Sequence, residues 1–285
     1  MRQNNFSLQN KNLRINYNFS KEINQKLEII QELLSNKKVI IGFSGGVDST
    51  LLAFLSSKFA KETLLVTVEN ELITEEELEE LKKIKEILGL PLRIIHINQL
   101  KDSNFIKNDS NRCYYCKKTI LSYLEEIKVK EGYDIILEGT NYSDLTEPRP
   151  GYNAVKEKNA ISPFVESHLT KAEIREISKV IGLPTWNKVP TPCTASRFLT
   201  GTPITRQSIK RIQEAEKFLK RRFGFEIIRV RYDGKKAIIQ ALRKDLPVIT
   251  DPSNKKIILK NLKELGFEKV IISDKPYTRP SQGIM

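Results

Sequence analysis

Residues 38–50 read KVIIGFSGGVDST, and this segment constrains the chain more than any other. KVIIGF (38–43) is short, apolar and rich in β-branched residues, which predicts a buried strand. Two adjacent glycines, an aspartate and several hydroxyl residues follow, and then the apolar helical stretch LLAFLSSKF. A strand that passes through a glycine loop into a helix offers backbone N–H groups to an anion. Gly45 and Gly46 permit positive φ and close approach of a ligand to the backbone. Ser44, Ser49 and Thr50 add hydroxyl donors. Asp48 would repel a phosphate unless a cation stood between them, so its expected role is to hold Mg²⁺ on the phosphates. Two other nucleotide loops are excluded. There is no G-x-x-x-x-G-K followed by Ser or Thr, and no G-x-G-x-x-G after a strand.

The rest of the chain fits a parallel sheet around that loop. Ile23, Leu27, Ile30 and Leu34 fall at helical spacing after Ser20. TLLVTVE (63–69), LRIIHI (92–97) and DIILEGT (134–140) read as further strands. Helices are expected from the capping box at Thr74 and Glu77 and over 115–130. His96 lies within an expected buried strand and reads as packing, and His168 as solvated. Strands alternating with helices predict an α/β, doubly wound parallel sheet. A second capping box, Thr170 and Glu173, opens a helix that stops at Gly182 with Pro184 beyond. Residues 183–204, rich in Pro, Thr and Gly, read as a functional loop and domain boundary. A helix over 206–222 follows. EIIRVRYDGKKAIIQAL reads as a hairpin turning at Asp233-Gly234, and a helix (254–265) and the strand KVIISD close the chain. The expected organisation is a loose leader (1–19), a nucleotide domain (20–190) and a smaller C-terminal α+β domain (191–285).

The formal net charge of +13 favours anionic partners, or else marks a Lys-rich solvated surface. No apolar run approaches the ~18 residues of a membrane span, and the N-terminus has no apolar core of a secretory signal. The three cysteines, Cys113, Cys116 and Cys193, argue against a disulfide framework and for the cytoplasm. Cys113 and Cys116 form C-x-x-C. A redox dithiol would use only these two, and a zinc site would need a fourth ligand such as His96 or His168. An iron–sulfur cluster on three thiolates would leave one iron open.

SGGVDS resembles the PP-loop of the ATP pyrophosphatase (adenine nucleotide alpha hydrolase-like) superfamily. That resemblance implies cleavage of ATP between the α and β phosphates and adenylation of a substrate. It places Val68 and Asn70 at the adenine, and Gly139, Thr140 and Asn141 beside the nucleotide. Further segments are similar to the LarE family, ATP-dependent sulfur transferases of nickel-pincer cofactor synthesis. They are NRCYYCK, EGTNYSDLTEPRPG, ISPF with LTKAEIR, GLPTWNKVPTPCTASR, GTPIT and RVR. The resemblance implies ATP and Mg²⁺ as cofactors, and adenylation of a carboxylate of pyridinium-3,5-biscarboxylic acid mononucleotide, followed by exchange of oxygen for sulfur. Some members sacrifice a single cysteine, matching Cys193, and are left with dehydroalanine. Members that also carry the C-x-x-C pair assemble a 4Fe-4S cluster, so the resemblance makes Cys113, Cys116 and Cys193 cluster ligands. It also implies a homo-oligomer and a sulfide or other sulfur donor as partner. Asp48, Ser44 and Cys193 are the expected catalytic set.

Arg229 and Arg231 alternate on one strand and so share a face. Two guanidinium forks on one face suit the substrate's phosphate; solvated edge-strand charges are the alternative. Arg149 is expected to reach ATP or substrate and Glu216 to line the site. Arg279 is a substrate residue only through a loosely matched tail, and Trp186 reads as a loop anchor. The main rival function is a tRNA thiolase, which +13 would suit, but three cysteines cannot build a four-cysteine zinc ribbon. An ammonia-using ligase and an ATP-binding regulator are further alternatives, and both leave the cysteines without a purpose.

Overall fold

The structure is a computed structural model and describes Tyr17 and residues 19–277. Arg279 and nearly all of the expected leader lie outside the described residues. In chain order the first elements are α1 (Lys21–Leu34), β1 (Lys38–Gly42), α2 (Val47–Phe59), β2 (Glu62–Glu69), α3 (Glu75–Leu88), β3 (Leu92–His96) and α4 (Ser103–Ile106). Next come α5 (Arg112–Glu131), β4 (Ile135–Leu137), α6 (Pro150–Glu157), α7 (Pro163–Glu166) and α8 (Lys171–Ile181). The last are α9 (Arg206–Phe223), β5 (Ile228–Tyr232), β6 (Lys236–Ala241), α10 (Leu246–Thr250), α11 (Pro252–Glu264) and β7 (Lys269–Ile272). Among the described residues no helix is long and apolar enough to cross a membrane.

The chain divides into two compact units. Among the described residues, the first holds Tyr17, 19–69, 75–97 and 116–191. Its sheet is fully parallel in the order β3-β2-β1-β4. Val39, Ile40 and Ile41 of the central strand are completely buried, which is why that run is continuous rather than alternating. The chain winds from β1 through β2 to β3 on one side, and β4 pairs with the opposite edge of β1. Strand order therefore reverses between β1 and β4. Open α/β sheets bind ligands at such a switch point, outside the carboxyl ends of the strands. The glycine loop leaves β1 and the EGTN segment leaves β4, so both lie there.

α1 and α8 carry the signals that the sequence predicts. Ser20 caps α1 by accepting from Ile23 N at 3.2 Å, and Ile23, Leu27, Ile30 and Leu34 form its buried stripe. The Thr170–Glu173 capping box opens α8, and Gly182 at φ +83° closes it. One reading of the sequence fails here. β3 is an edge strand, and His96 points to solvent with 78% of its side chain exposed, pairing with Glu69 at 3.3 Å. It is not a packing residue, because an edge strand covered on one face turns alternate side chains outward.

Among the described residues, the second unit holds 70–74, 98–115 and 192–277. β5 and β6 are antiparallel, and β7 runs parallel to β6. The turn is where Asp233-Gly234 places it. Gly234 has φ +101°, and Asp233 Oδ1 accepts from Lys235 N (3.0 Å) and Lys236 N (2.7 Å). α9 lays Ile209, Ile212, Ala215 and Leu219 into this unit's core. Asn108, at φ +55° and fully buried, donates to the carbonyls of Leu199 (2.8 Å) and Thr202 (3.0 Å). It thereby fastens the 98–115 segment within the unit.

Candidate functional site

In the first unit the loop after β1 is shaped by glycine. Gly45 has φ +64°, and a Cβ there would lie 2.5 Å from Leu81 Cδ2. Gly46 is the N-cap of α2, and no side chain caps that helix. The first N–H groups of a helix have no intrahelical partner, so those of α2 are open to an anion. Ser49 Oγ accepts from Ser44 N at 3.3 Å and lies 3.1 Å from Ser44 Oγ, drawing both hydroxyls into the loop. Thr50 Oγ1 is buried without a partner. Gly139 packs against the same helix end, since a Cβ on it would meet Ser49 N at 3.2 Å and Asp48 Cβ at 3.4 Å. Val68 lies in β2 and is half-buried. In the second unit, Asn70 Oδ1 accepts from Leu72 N at 2.9 Å, fixing a tight turn.

Asp48 sits among side chains from three segments of the first unit. Asn141 Nδ2 donates to Asp48 Oδ1 (3.2 Å) and to Asp144 Oδ2 (2.8 Å), so one amide bridges two carboxylates. Lys171 Nζ lies 2.5 Å from Asp48 Oδ2, and Arg149 Nη2 lies 2.6 Å from Asp144 Oδ1. Burial pushes the Asp144 carboxyl up, against the pull of Arg149, and the nearby Asp48 adds to the rise. Asn141 Oδ1 is buried with no partner. Two carboxylates and a spare amide oxygen are the oxygen donors that a hard divalent cation takes. The residues therefore fit Mg²⁺. Arg149 thus stands at this group.

Glu138 anchors the segment. It is 3% exposed. Thr140 N and Oγ1 donate to it at 3.0 and 2.9 Å, Ser162 Oγ donates as well, and Lys117 Nζ lies 3.1 Å away. Burial raises its pKa, but Lys117 and these donors outweigh that, so the carboxylate is held below its usual range. Lys188 Nζ donates to Gly45 O (3.0 Å) and pairs with Glu80 (2.8 Å). Arg175 donates to the carbonyls of Trp186 (2.7 Å) and Lys188 (2.9 Å), which sets the 183–191 stretch.

The second unit collects arginines and two cysteines. Arg197 and Glu216 form a buried two-pronged pair, Nε–Oε1 and Nη2–Oε2 both 2.9 Å, and Val230 N also donates to Glu216 Oε1 at 3.0 Å. Both Glu216 oxygens are therefore engaged in orienting Arg197. Arg197 Nη1 also reaches Pro192 O (2.6 Å) and Cys193 O (3.2 Å). Arg229 is 5% exposed, with Nε unpartnered and the guanidinium 5.5 Å from the centre of the Tyr277 ring. Arg231 donates to Gln240 Oε1 (2.8 Å) and Ser196 O (3.2 Å). Burial first, and repulsion from Arg197, push Arg229 below the ordinary guanidinium value; burial does the same to Arg231. Three guanidiniums face one carboxylate, an excess of positive charge that suits a dianion. Arg229 and Arg231 are not solvated edge charges.

The Cys193 residue is exposed, yet crowding around its sulfur pushes the thiol up, with Arg112 and Arg197 opposing and Cys113 adding to the rise. Arg112 Nη1 donates to Asn108 Oδ1 (2.5 Å) and Ala195 O (3.0 Å), and Nη2 lies 3.7 Å from Cys113 Sγ. Cys113 and Cys116 occupy the first turns of α5 at i, i+3 spacing, hence on one helix face. None of the three cysteines is in a disulfide. Cysteine thiolates are the donors of iron–sulfur clusters, and two arginines beside Cys193 suit an anionic group. Among the described residues, however, no three His, Cys, Asp or Glu side chains are gathered to hold a metal ion. The donor chemistry fits.

The sequence assigns no role to Arg197, Lys171, Lys188, Arg112 or Lys117, and it places Glu138 only as part of EGTN (138–141) beside the nucleotide. The segments of these basic residues, TASR, LTKAEIR, WNKVP and NRCYYCK, all lie in the LarE-like stretches, but a charged residue in a loop gives no sign of its partner.

Several known proteins are similar to this chain. Residues 38–115, which run through the glycine loop, match the family described as Queuosine biosynthesis protein QueC. An uncharacterized protein of Methanocaldococcus jannaschii is 36% identical over 90% of this chain and 96% of its own. An uncharacterized protein of Synechocystis sp. is 34% identical over 76% of this chain and 82% of its own. The pyridinium-3,5-bisthiocarboxylic acid mononucleotide synthase of Lactiplantibacillus plantarum is 32% identical over 87% of this chain and 90% of its own. A likeness of that extent, running through both units, places the chain in the family of this synthase, the LarE family.

Proposed function

We propose that this chain is an ATP-dependent sulfur transferase that adenylates a carboxylate of pyridinium-3,5-biscarboxylic acid mononucleotide and replaces its oxygen with sulfur. The observation that carries the reading is the likeness to the synthase, which spans 87% of the chain.

The chemistry follows from the residues. A carboxylate is a poor electrophile because its leaving group would be oxide. The N–H groups opening α2 and the hydroxyls of Ser44 and Ser49 hold the phosphates of ATP. Asp48, with Asp144 and Asn141, supplies oxygen ligands for Mg²⁺, which neutralises charge on the departing pyrophosphate. The substrate carboxylate oxygen bonds to the α phosphorus, and the bond from that phosphorus to the bridging oxygen breaks. Sulfide then attacks the acyl carbon, and AMP leaves with the oxygen. Arg229 and Arg231, with Arg197 held in place by Glu216, take the phosphate of the mononucleotide. Cys113, Cys116 and Cys193 would hold the 4Fe-4S cluster, which when bound supplies an iron lacking a protein thiolate where inorganic sulfide can bind.

The test is an anaerobic assay of the reconstituted full chain with ATP, Mg²⁺, sulfide and either the mononucleotide or tRNA. Expected are pyrophosphate, AMP and thiocarboxylate product over repeated turnovers, with Cys193 unmodified in the protein mass. Sulfur entering tRNA alone would replace this reading with a tRNA thiolase. Dehydroalanine at position 193 with full activity of Cys113→Ala would refute the cluster.

A further inference from the structure

We infer that Lys171 stands in for the metal ion on Asp48 and passes to the phosphates of ATP when Mg²⁺–ATP binds. This inference rests on the reading that the glycine loop binds Mg²⁺–ATP.

The observation is a mismatch of occupancy. Asp48 is the carboxylate of the phosphate loop, and Lys171 Nζ sits 2.5 Å from its Oδ2. The other oxygen, Oδ1, takes Asn141 Nδ2 at 3.2 Å. Asp48 thus has an ammonium where a divalent cation would stand. A divalent cation placed on the same carboxylate would stand close to the ammonium, and that repulsion favours the departure of Nζ. Lys171 is built to move. Its backbone is held, since it is the first residue of α8 and its N–H donates to Ser143 Oγ at 3.1 Å. Its side chain is a flexible four-carbon stem ending in a compact charge, and 31% of it is exposed. The alternative anion on Asp144 already belongs to Arg149 at 2.6 Å. The anion that arrives with the metal is the phosphate chain, so the displaced ammonium finds its new partner there. Asp48 is thereby neutralised in the empty site, and a cation is delivered to the pyrophosphate when it forms.

The full chain and its Lys171→Met, Lys171→Arg and Asp48→Asn variants test this, with Mn²⁺ alone, followed by its electron paramagnetic resonance signal, and ATP binding measured with Mn²⁺ present. Removing the competing charge is expected to tighten Mn²⁺ alone by about tenfold or more in Lys171→Met, and losing a charge-assisted contact to weaken ATP by about tenfold or more. Lys171→Arg keeps ATP affinity within about threefold, and Asp48→Asn abolishes the Mn²⁺ signal change. Unaltered Mn²⁺ affinity in Lys171→Met would overturn the inference, and so would unaltered ATP affinity. A wild-type chain that binds no ATP would instead remove the functional reading itself.

Discussion

Gly45→Ala tests whether the loop geometry is held by packing as well as by backbone. At φ +64° any residue with a Cβ bears a cost of ~1–2 kcal/mol. The new methyl would also stand 2.5 Å from Leu81 Cδ2, where carbon atoms normally rest at ~3.5–4.0 Å. Leu81 is 3% exposed and has little room to withdraw, so the overlap adds ~1–3 kcal/mol of overpacking. The expected loss is therefore ~2–5 kcal/mol in urea unfolding followed by circular dichroism. A double-mutant cycle separates the two causes. Leu81→Ala alone costs ~2–5 kcal/mol as a cavity. Combined with Gly45→Ala, it gives the methyl somewhere to go. The pair should be less destabilised than the sum of the singles by ~1–3 kcal/mol, while the backbone cost persists. Additivity within ~0.5 kcal/mol would show that Leu81 does not set the loop. ATP affinity should fall in Gly45→Ala and remain low in the pair, because the methyl still occupies the loop.

Asp48→Asn should keep its melting profile and lose Mg²⁺-dependent pyrophosphate release; near-normal release would remove Asp48 from the metal. Glu216→Ala strands the buried Arg197 guanidinium and leaves Val230 N without its acceptor, so unfolding free energy should drop by ~3–5 kcal/mol; a loss under ~1 kcal/mol would mean the pair is not desolvated. Tyr133 is pushed up to about 12 by burial and by its 3.0 Å hydrogen bond to Glu62. Its proton is held more tightly in the folded chain, so that stability is full below the ordinary value of 10.0 and disappears as pH rises through about 12. Melting temperature against pH should therefore fall more steeply in wild type than in Tyr133→Phe across that window, and parallel curves would refute it.

Much of the fold was legible because its signals are local. Ile23, Leu27, Ile30 and Leu34 share a face whatever they pack against, and Asp233-Gly234 makes its own turn. Thr170 with Glu173 and the closing Gly182 mark both ends of α8 within the chain itself. The glycine loop was legible for the same reason: strand, glycines and helix are contiguous. His96 was misread because edge or centre is decided by strand order, which a single strand does not reveal. The site's charge pairings were hidden for a similar reason. Lys171 lies 123 residues from Asp48, and Lys188 lies 143 residues from Gly45. Nothing in LTKAEIR or WNKVP tells which anion each lysine meets. The spacing of Arg229 and Arg231 gave their common face. Arg229 is covered by Tyr277, and Arg231 reaches Gln240 and Ser196, neighbours that strand periodicity does not contain.

Helix α5 carries Cys116 and Lys117 as consecutive residues, and Lys117 is the cationic partner of Glu138, the carboxylate that fixes Thr140 beside Asn141. A helix of 20 residues is a stiff rod ~30 Å long, and its turns do not rotate independently. Any twist that re-aims the Cys116 sulfur therefore pulls on Lys117. Glu138, 3% exposed, cannot turn to water for a replacement cation. The rod acts as a torsion bar between the sulfur-bearing turn and the strand end that flanks the phosphate loop. Cys116 and the strand end that carries Thr140 and Asn141 are thus coupled through one stiff part, and a rotation at that turn of the helix is felt at Glu138.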